Sequence, residues 1–196
     1  MAHTCGLTPN QVTLLSGATT GTAVVLVATL PPAAWAGAAI WFLLAVGFML
    51  DSADGQLARL RGGGSRAGEW LDHVLDAGKM AAVHAAVLIS WYRFFDLPES
   101  MLLVPLAFQL CAVVTFAGGT LTELLKRTAG SADAGRPASA LRSVLLVPAD
   151  YGVFCLVFLA YGAPWLFTVL YSAFAAAAGC FAVLLLAKWF KELKQA

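Results

Sequence analysis

Six runs of mostly apolar residues, near 11–30, 34–54, 72–95, 101–124, 140–161 and 164–187, follow one another along this chain with little between them. A helix needs ~20 such residues to cross the hydrocarbon core of a bilayer. Inside that core the backbone must satisfy its own hydrogen bonds, which a helix does and an open strand does not. The pattern predicts an all-α fold, a six-helix transmembrane bundle. The same runs as buried helices of a large soluble protein would need far more polar surface than 12% charged residues supply, with 60% of the 196 residues hydrophobic. No stretch is left over for a soluble domain, so residues 1–196 read as a single membrane domain.

The basic residues orient the bundle. Arg59, Arg61, Arg66 and Lys79 flank the second connection, Lys126, Arg127, Arg136 and Arg142 the fourth, and Lys188, Lys191 and Lys194 follow the last run, while only Arg93 falls opposite. By the positive-inside rule this predicts a multi-pass protein of the cell (inner or plasma) membrane, with both termini cytoplasmic. The Met1–Asn10 leader carries no Lys or Arg and no evident cleavage site, so it does not read as a cleaved signal peptide. A net charge of +1 says little by itself about partners, and no nucleic-acid partner is expected.

Pro31-Pro32 ends the first run, and Arg61-Gly-Gly-Gly-Ser-Arg66 and Gly130–Pro137 read as cytoplasmic loops. Trp35, Trp41, Trp91, Tyr92, Trp165 and Trp189 lie near segment ends, as interfacial belts do. The four cysteines, Cys5, Cys111, Cys155 and Cys180, are too scattered to suggest a disulfide or a zinc site.

The chemistry is concentrated in DSADGQLAR, residues 51–59, which follows one of the most apolar segments directly. An ionisable group in a membrane segment costs ~2.5–3.5 kcal/mol on insertion scales, so a cluster needs a reason. Asp51 and Asp54 close the second run and Asp72 and Asp76 open the third. At i, i+3 and i, i+4 each pair lies on one helix face, and helices joined by a hairpin can bring the pairs together. Four close carboxylates repel unless cations balance them, and oxygen ligands without His or Cys favour Mg²⁺, Mn²⁺ or Ca²⁺. Two ions ~3.5–4 Å apart are a common device of phosphoryl chemistry. Pairing with Arg59, Arg61, Arg66 or Lys79 at a wetted surface is the plainer alternative. Gly55, Ala58 and Gly68 leave space beside the helix backbones.

The arrangement Asp51-x-x-Asp54-Gly55-x-x-Ala58-Arg59, eight residues, Gly68-x-x-x-Asp72-x-x-x-Asp76 resembles the signature of the CDP-alcohol phosphotransferase family at all eight fixed positions. Pro9-Asn10-x-x-Thr13 is similar to the family's usual start of the first helix. The resemblance implies an active site on the cytoplasmic side, between helices 2 and 3. It implies transfer of a phosphatidyl or related phosphoalcohol group from a CDP-linked lipid, CDP-diacylglycerol in the first instance, to a small alcohol, with release of CMP. It further implies that Asp51, Asp54, Asp72 and Asp76 hold Mg²⁺ or Mn²⁺, with Asp76 also the general base. Gly55, Ala58, Arg59, Gly68 and Asp72 would accommodate the nucleotide, and the enzyme would be a homodimer.

For the acceptor, Lys126, Arg142 and Lys188 at helix ends are placed like the basic residues of bacterial phosphatidylinositol-phosphate synthases, which implies a phosphorylated alcohol. Ordinary positive-inside charge explains them equally. Glu123, one turn before Lys126, departs from that subfamily and would need Lys126 or Arg127 to neutralise it. A phosphatidylglycerophosphate synthase-like activity is the alternative within the family, although Asp76-Ala-Gly-Lys79 departs from its pattern. A divalent-cation transporter, its intramembrane aspartates lining an ion path, is the alternative from another class. His73, His84 and Asp150 are open: each is either near the site or a packed, satisfied group.

Overall fold

The computed structural model describes residues 7–128 and 151–195, and within them the chain is helical. Helix α1 spans Pro9–Thr29, α2 Ala34–Leu60 and α3 Arg66–Phe94. A 3₁₀ turn at Glu99–Leu102 leads into α4, Leu103–Thr128. The short α5, Tyr151–Leu156, runs on as a 3₁₀ stretch, Val157–Gly162, and α6 spans Pro164–Leu193. Five of these segments are long and apolar enough to cross a membrane, and Tyr151–Gly162 is a shorter apolar helix. The chain is a multi-pass membrane protein. Large apolar side chains such as Phe42, Leu110, Val183 and Leu184 stand exposed on the outside of the bundle, as a lipid-facing surface requires.

Local chemistry sets the ends. Thr8 and Gln11 form a reciprocal capping box ahead of α1, with Pro9 at the first turn. Ser65 caps α3 by accepting from the Gly68 N–H at 3.0 Å. The hairpin between α2 and α3 turns through Gly62 and Gly63 at φ +90° and +115°, a region that L side chains rarely adopt. Both helices overrun their apolar windows, α2 by one and a half turns past Asp54 and α3 by a similar length before Asp72. The aspartate pairs therefore sit on continuous helix.

Helix α1 packs on α2 and α3, α4 packs on α3 and α6, and Val157–Gly162 packs on α2 and α6. The α1–α2 approach is close at Gly47, where a Cβ would stand 2.2 Å from Thr20 Oγ1. Ser16 Oγ donates to the Gly47 carbonyl there at 2.8 Å. At the opposite end, Trp91, Phe158, Tyr161, Phe167 and Tyr171 form a fully buried aromatic core. Tyr161 Oη donates to the Leu30 carbonyl at 2.7 Å and accepts from Ser90 at 2.8 Å, tying α1 and α3 to the segment before α6. Arg93 donates to the Ala28 carbonyl at the C-terminal end of α1, at 2.9 Å.

Trp91 corrects the expectation of an interfacial anchor. It is 1% exposed, with its ring edge-on to Tyr171 at 5.4 Å. Trp35, Tyr92 and Trp165 are exposed as a belt would have them. Among the described residues, Cys111, Cys155 and Cys180 form no disulfide. Cys5, Arg136, Arg142, Pro148 and Asp150 lie outside the described residues.

Candidate active site

The close α1–α2 contact places two hydroxyls of α1 on the aspartates of α2. Thr13 Oγ1 donates to Asp54 Oδ2 at 2.6 Å, and Ser16 Oγ lies 3.3 Å from Asp51 Oδ1. Asp54 is 6% exposed, so this hydrogen bond meets a need that solvent cannot. From α3, Asp72 and Asp76 come alongside, and one carboxylate oxygen from each of Asp51, Asp72 and Asp76 lies within 4.8 Å of the others. Asp54 stands outside that trio.

Lys79, one turn beyond Asp76, reaches into the cluster. Its ammonium donates to Asp51 Oδ1, to Asp76 Oδ1 at 3.0 Å and to Ser16 Oγ at 3.0 Å. The plainer reading of the aspartates is thus met in part, by Lys79 alone of the four basic residues considered for it.

Two cavities share these residues. The larger, of about 640 Å³, is lined by Asp54, Gly55, Ala58, Arg59, Gly68 and Asp72, with Asn10, Thr13, Glu69 and Arg127 at its walls. Six of the eight motif positions therefore face one cleft. A Cβ at Gly55 would meet only Arg59 Nη1, at 3.7 Å, so its small size leaves room in the cleft and is not demanded by packing. Gly68 differs: a Cβ there would stand 2.8 Å from Asn10 Oδ1. The smaller cavity, of about 90 Å³, is lined by Asp51 and Asp76 together with Lys79, Met80 and Tyr151. Tyr151 Oη is buried with no hydrogen-bond partner among the described residues.

The donor set suits a hard divalent cation. Two oxygens on one such ion are roughly 3–5 Å apart, from cis to trans, at metal–oxygen distances of ~2.0–2.6 Å, and the Asp51, Asp72 and Asp76 oxygens, all within 4.8 Å of one another, fall inside that limit. The set holds no imidazole or thiolate that would favour zinc.

Of the basic residues expected at an acceptor, Lys126 and Lys188 are described and Arg142 lies outside the described residues. Lys126 pairs with Glu192 at 2.5 Å and Lys188 with the same carboxylate at 3.5 Å, and neither lines the two cavities. Arg127 is the α4 cation at the cleft, held by Glu69 and Glu123 at 2.6 Å each. Glu123 thus finds the neutralising partner that the sequence called for. His84 is a packed residue, with Nδ1 2.7 Å from Tyr171 Oη and its ring 4.1 Å from Phe108. His73 lies edge-on to Phe116 at 6.1 Å.

Sequence reasoning assigned no role to Ser16, placed Lys79 only among the basic residues that could pair with the aspartates, and treated Thr13 only as part of a start motif. The signal for the first of these was present: Thr13, Ser16 and Thr20 recur at three- and four-residue spacing along α1, and all three are buried.

The sequence model of the CDP-alcohol phosphatidyltransferase family matches residues 6–189. The phosphatidylinositol phosphate synthase of Mycobacteroides abscessus is 34% identical over 113 residues, 56% of this chain and 46% of that protein. That of Corynebacterium glutamicum is 34% identical over 113 residues, 55% of this chain and 48% of its own length. The matched stretch thus spans about half the length of these relatives. Among solved structures, the Mycobacterium tuberculosis phosphatidylinositol phosphate synthase with CDP-DAG bound superposes at a TM-score of 0.63 and 25% identity, over 96% of this chain and 89% of that one. The same enzyme in complex with manganese and citrate gives a TM-score of 0.66 at 23% identity, over 96% and 85%, a likeness of fold.

Proposed function

The chain belongs to the CDP-alcohol phosphatidyltransferase family, and from that membership we propose that it moves a phosphatidyl group from a CDP-linked lipid to an alcohol hydroxyl and releases CMP. The observation that carries the reading is the convergence of Asp54, Gly55, Ala58, Arg59, Gly68 and Asp72 on one cleft, with Asp51 and Asp76 beside it. The site lies at the cytoplasmic face, between α2 and α3, where a donor with a lipid tail and an aqueous head meets both its solvents.

In this reading the nucleotide occupies the larger cleft. Gly55, Ala58 and Gly68 let it approach the helix backbones, and Arg59 faces its phosphates. Asp51, Asp54, Asp72 and Asp76 hold Mg²⁺ or Mn²⁺, which when bound offsets the charge of the donor pyrophosphate and of the departing CMP. Thr13 and Ser16 fix Asp54 and Asp51 from α1. Asp76 accepts the proton of the acceptor hydroxyl as that oxygen attacks the β-phosphorus, the bond to CMP breaks and CMP carries away the electron pair.

The named relatives support a phosphorylated acceptor such as an inositol phosphate, for which Lys126, Lys188 and Arg142 are the candidate binding cations. Binding there exchanges the Glu192 carboxylate for the acceptor phosphate on Lys126 and Lys188.

The test is CMP release by the purified chain from CDP-diacylglycerol with Mg²⁺ or Mn²⁺, across inositol phosphate, inositol, glycerol 3-phosphate and serine. Metal-dependent release with inositol phosphate alone is the expected result. Release with glycerol 3-phosphate would move the acceptor assignment within the family. Failure of CDP to raise the melting temperature in the presence of Mg²⁺ would remove the nucleotide site itself.

A further inference from the structure

Lys79 is the one cation in direct contact with the carboxylate cluster among the described residues, and it is built in as few surface lysines are. Its side chain is 11% exposed, and Asp51, Asp76 and Ser16 come from three different helices to meet one ammonium. Two of the three carboxylates that form the oxygen-ligand trio, Asp51 and Asp76, are its partners. A half-buried carboxylate pair at the edge of a bilayer is costly unless a charge of opposite sign sits on it. An ammonium offers three donors and no acceptor, so on Asp51 and Asp76 it occupies oxygens that a divalent ion would use.

We propose that Lys79 is a resident counter-ion of the site: its ammonium holds Asp51 and Asp76 together when no divalent ion is bound, and divalent binding proceeds by displacing it. The proposal rests on the metal-binding reading given above and deepens it. It has a cost and a benefit that can be read separately. The displaced contact weakens divalent affinity, and the carboxylates stay assembled in the metal-free protein. Freed from them, the ammonium remains one turn from Asp76 on the same helix, within reach of the small cavity that both line.

The experiment titrates Mn²⁺ into the full-length, metal-stripped protein in detergent, following the free Mn²⁺ signal by electron paramagnetic resonance, with thermal unfolding alongside. Wild type is compared with Lys79→Met and with Arg61→Met, which removes the same charge from the hairpin without touching Asp51 or Asp76. Lys79→Met is expected to bind Mn²⁺ at least about tenfold more tightly, one decade lying at the low end for close charge pairs. It should melt below wild type without metal and regain the difference with Mn²⁺, while Arg61→Met changes affinity less than about threefold. Equal or weaker Mn²⁺ binding by Lys79→Met, an equal gain in Arg61→Met, or a Lys79→Met protein that Mn²⁺ does not restabilise overturns the proposal and leaves the metal reading standing. Absence of Mn²⁺ binding in all three proteins overturns both.

Discussion

The two ends of α3 are built from opposite materials. From Val83 to Trp91 its inward residues are sealed among aromatic rings and a few hydroxyls, and the largest of them are under 2% exposed. From Arg66 to Lys79 the same helix carries Asp72, Asp76 and Lys79, all partly accessible, beside a cleft of about 640 Å³. The aromatic end fixes how α1, α3 and α6 stand to one another, and the acidic end uses that fixed geometry to hold like charges together. On the proposed function, stability and turnover belong to different ends of the same helices, so substitutions should separate them.

The sharpest way to break that division is Asp76→Asn. It keeps the shape of the side chain and removes its capacity to take a proton, and it should lower CMP release at least ~10²-fold. The melting temperature should stay close to wild type, since an amide oxygen still accepts from Lys79. Turnover near wild type would remove the general-base assignment.

Thr13→Val comes next in size. Valine fills the same volume without the donor, leaving the buried Asp54 carboxylate short of its 2.6 Å hydrogen bond. Loss of an outer partner of a metal ligand typically costs ten- to a hundredfold in metal affinity or activity. The expected outcome is a rise of about tenfold in the Mn²⁺ concentration for half-maximal CMP release. An unchanged metal requirement would mean that Asp54 serves the cleft without bearing on metal.

Much of the acidic end was legible because its chemistry is local. The spacing of Asp51, Asp54, Asp72 and Asp76 sets their faces on a helix, and Arg61–Arg66 could only be a hairpin. Apolar length likewise revealed the spans, though their ends moved outward because polar caps such as Ser65 continue a helix into water. What could not be read was which face turns inward. In a membrane bundle the lipid side and the protein side are both apolar, so periodicity does not separate them. Trp91 therefore read as a belt residue, and nothing announced that His84 meets Tyr171 or that Lys126 and Lys188 share Glu192. The Lys79–Asp51 pair crosses between two helices 28 positions apart, a contact that only the α1–α2–α3 packing creates.

Gly55→Ala tests the same division of labour from the cleft. Alanine in a helix interior gains up to about 1 kcal/mol over glycine, and at Gly55 the added methyl meets only Arg59 Nη1, at 3.7 Å. Stability should hold or rise while the KM for the CDP-lipid increases several-fold, because the methyl takes space in the cleft. Gly21→Ala, where nothing lies within 4 Å, should match the stability change and leave KM alone. Parallel behaviour of the two variants in steady-state kinetics would show that the cleft at Gly55 is not filled by substrate.

The smallest effect belongs to the aromatic end. Tyr161→Phe keeps the ring, which lies edge-on to Phe167 at 5.4 Å, and deletes one hydroxyl. That hydroxyl donates to the Leu30 carbonyl and accepts from Ser90, so two polar groups lose a partner in a place that water does not reach. Hydrogen bonds between membrane helices average ~0.6 kcal/mol in measured cases, and a typical protein hydrogen bond contributes ~1 kcal/mol. The variant should lose about 1 kcal/mol or slightly more, read as a drop of a few degrees in melting temperature, with kcat and the metal requirement unchanged. A fall in kcat without a fall in melting temperature would mean that the aromatic end tunes the carboxylates directly, and the division of labour along α3 would have to be abandoned.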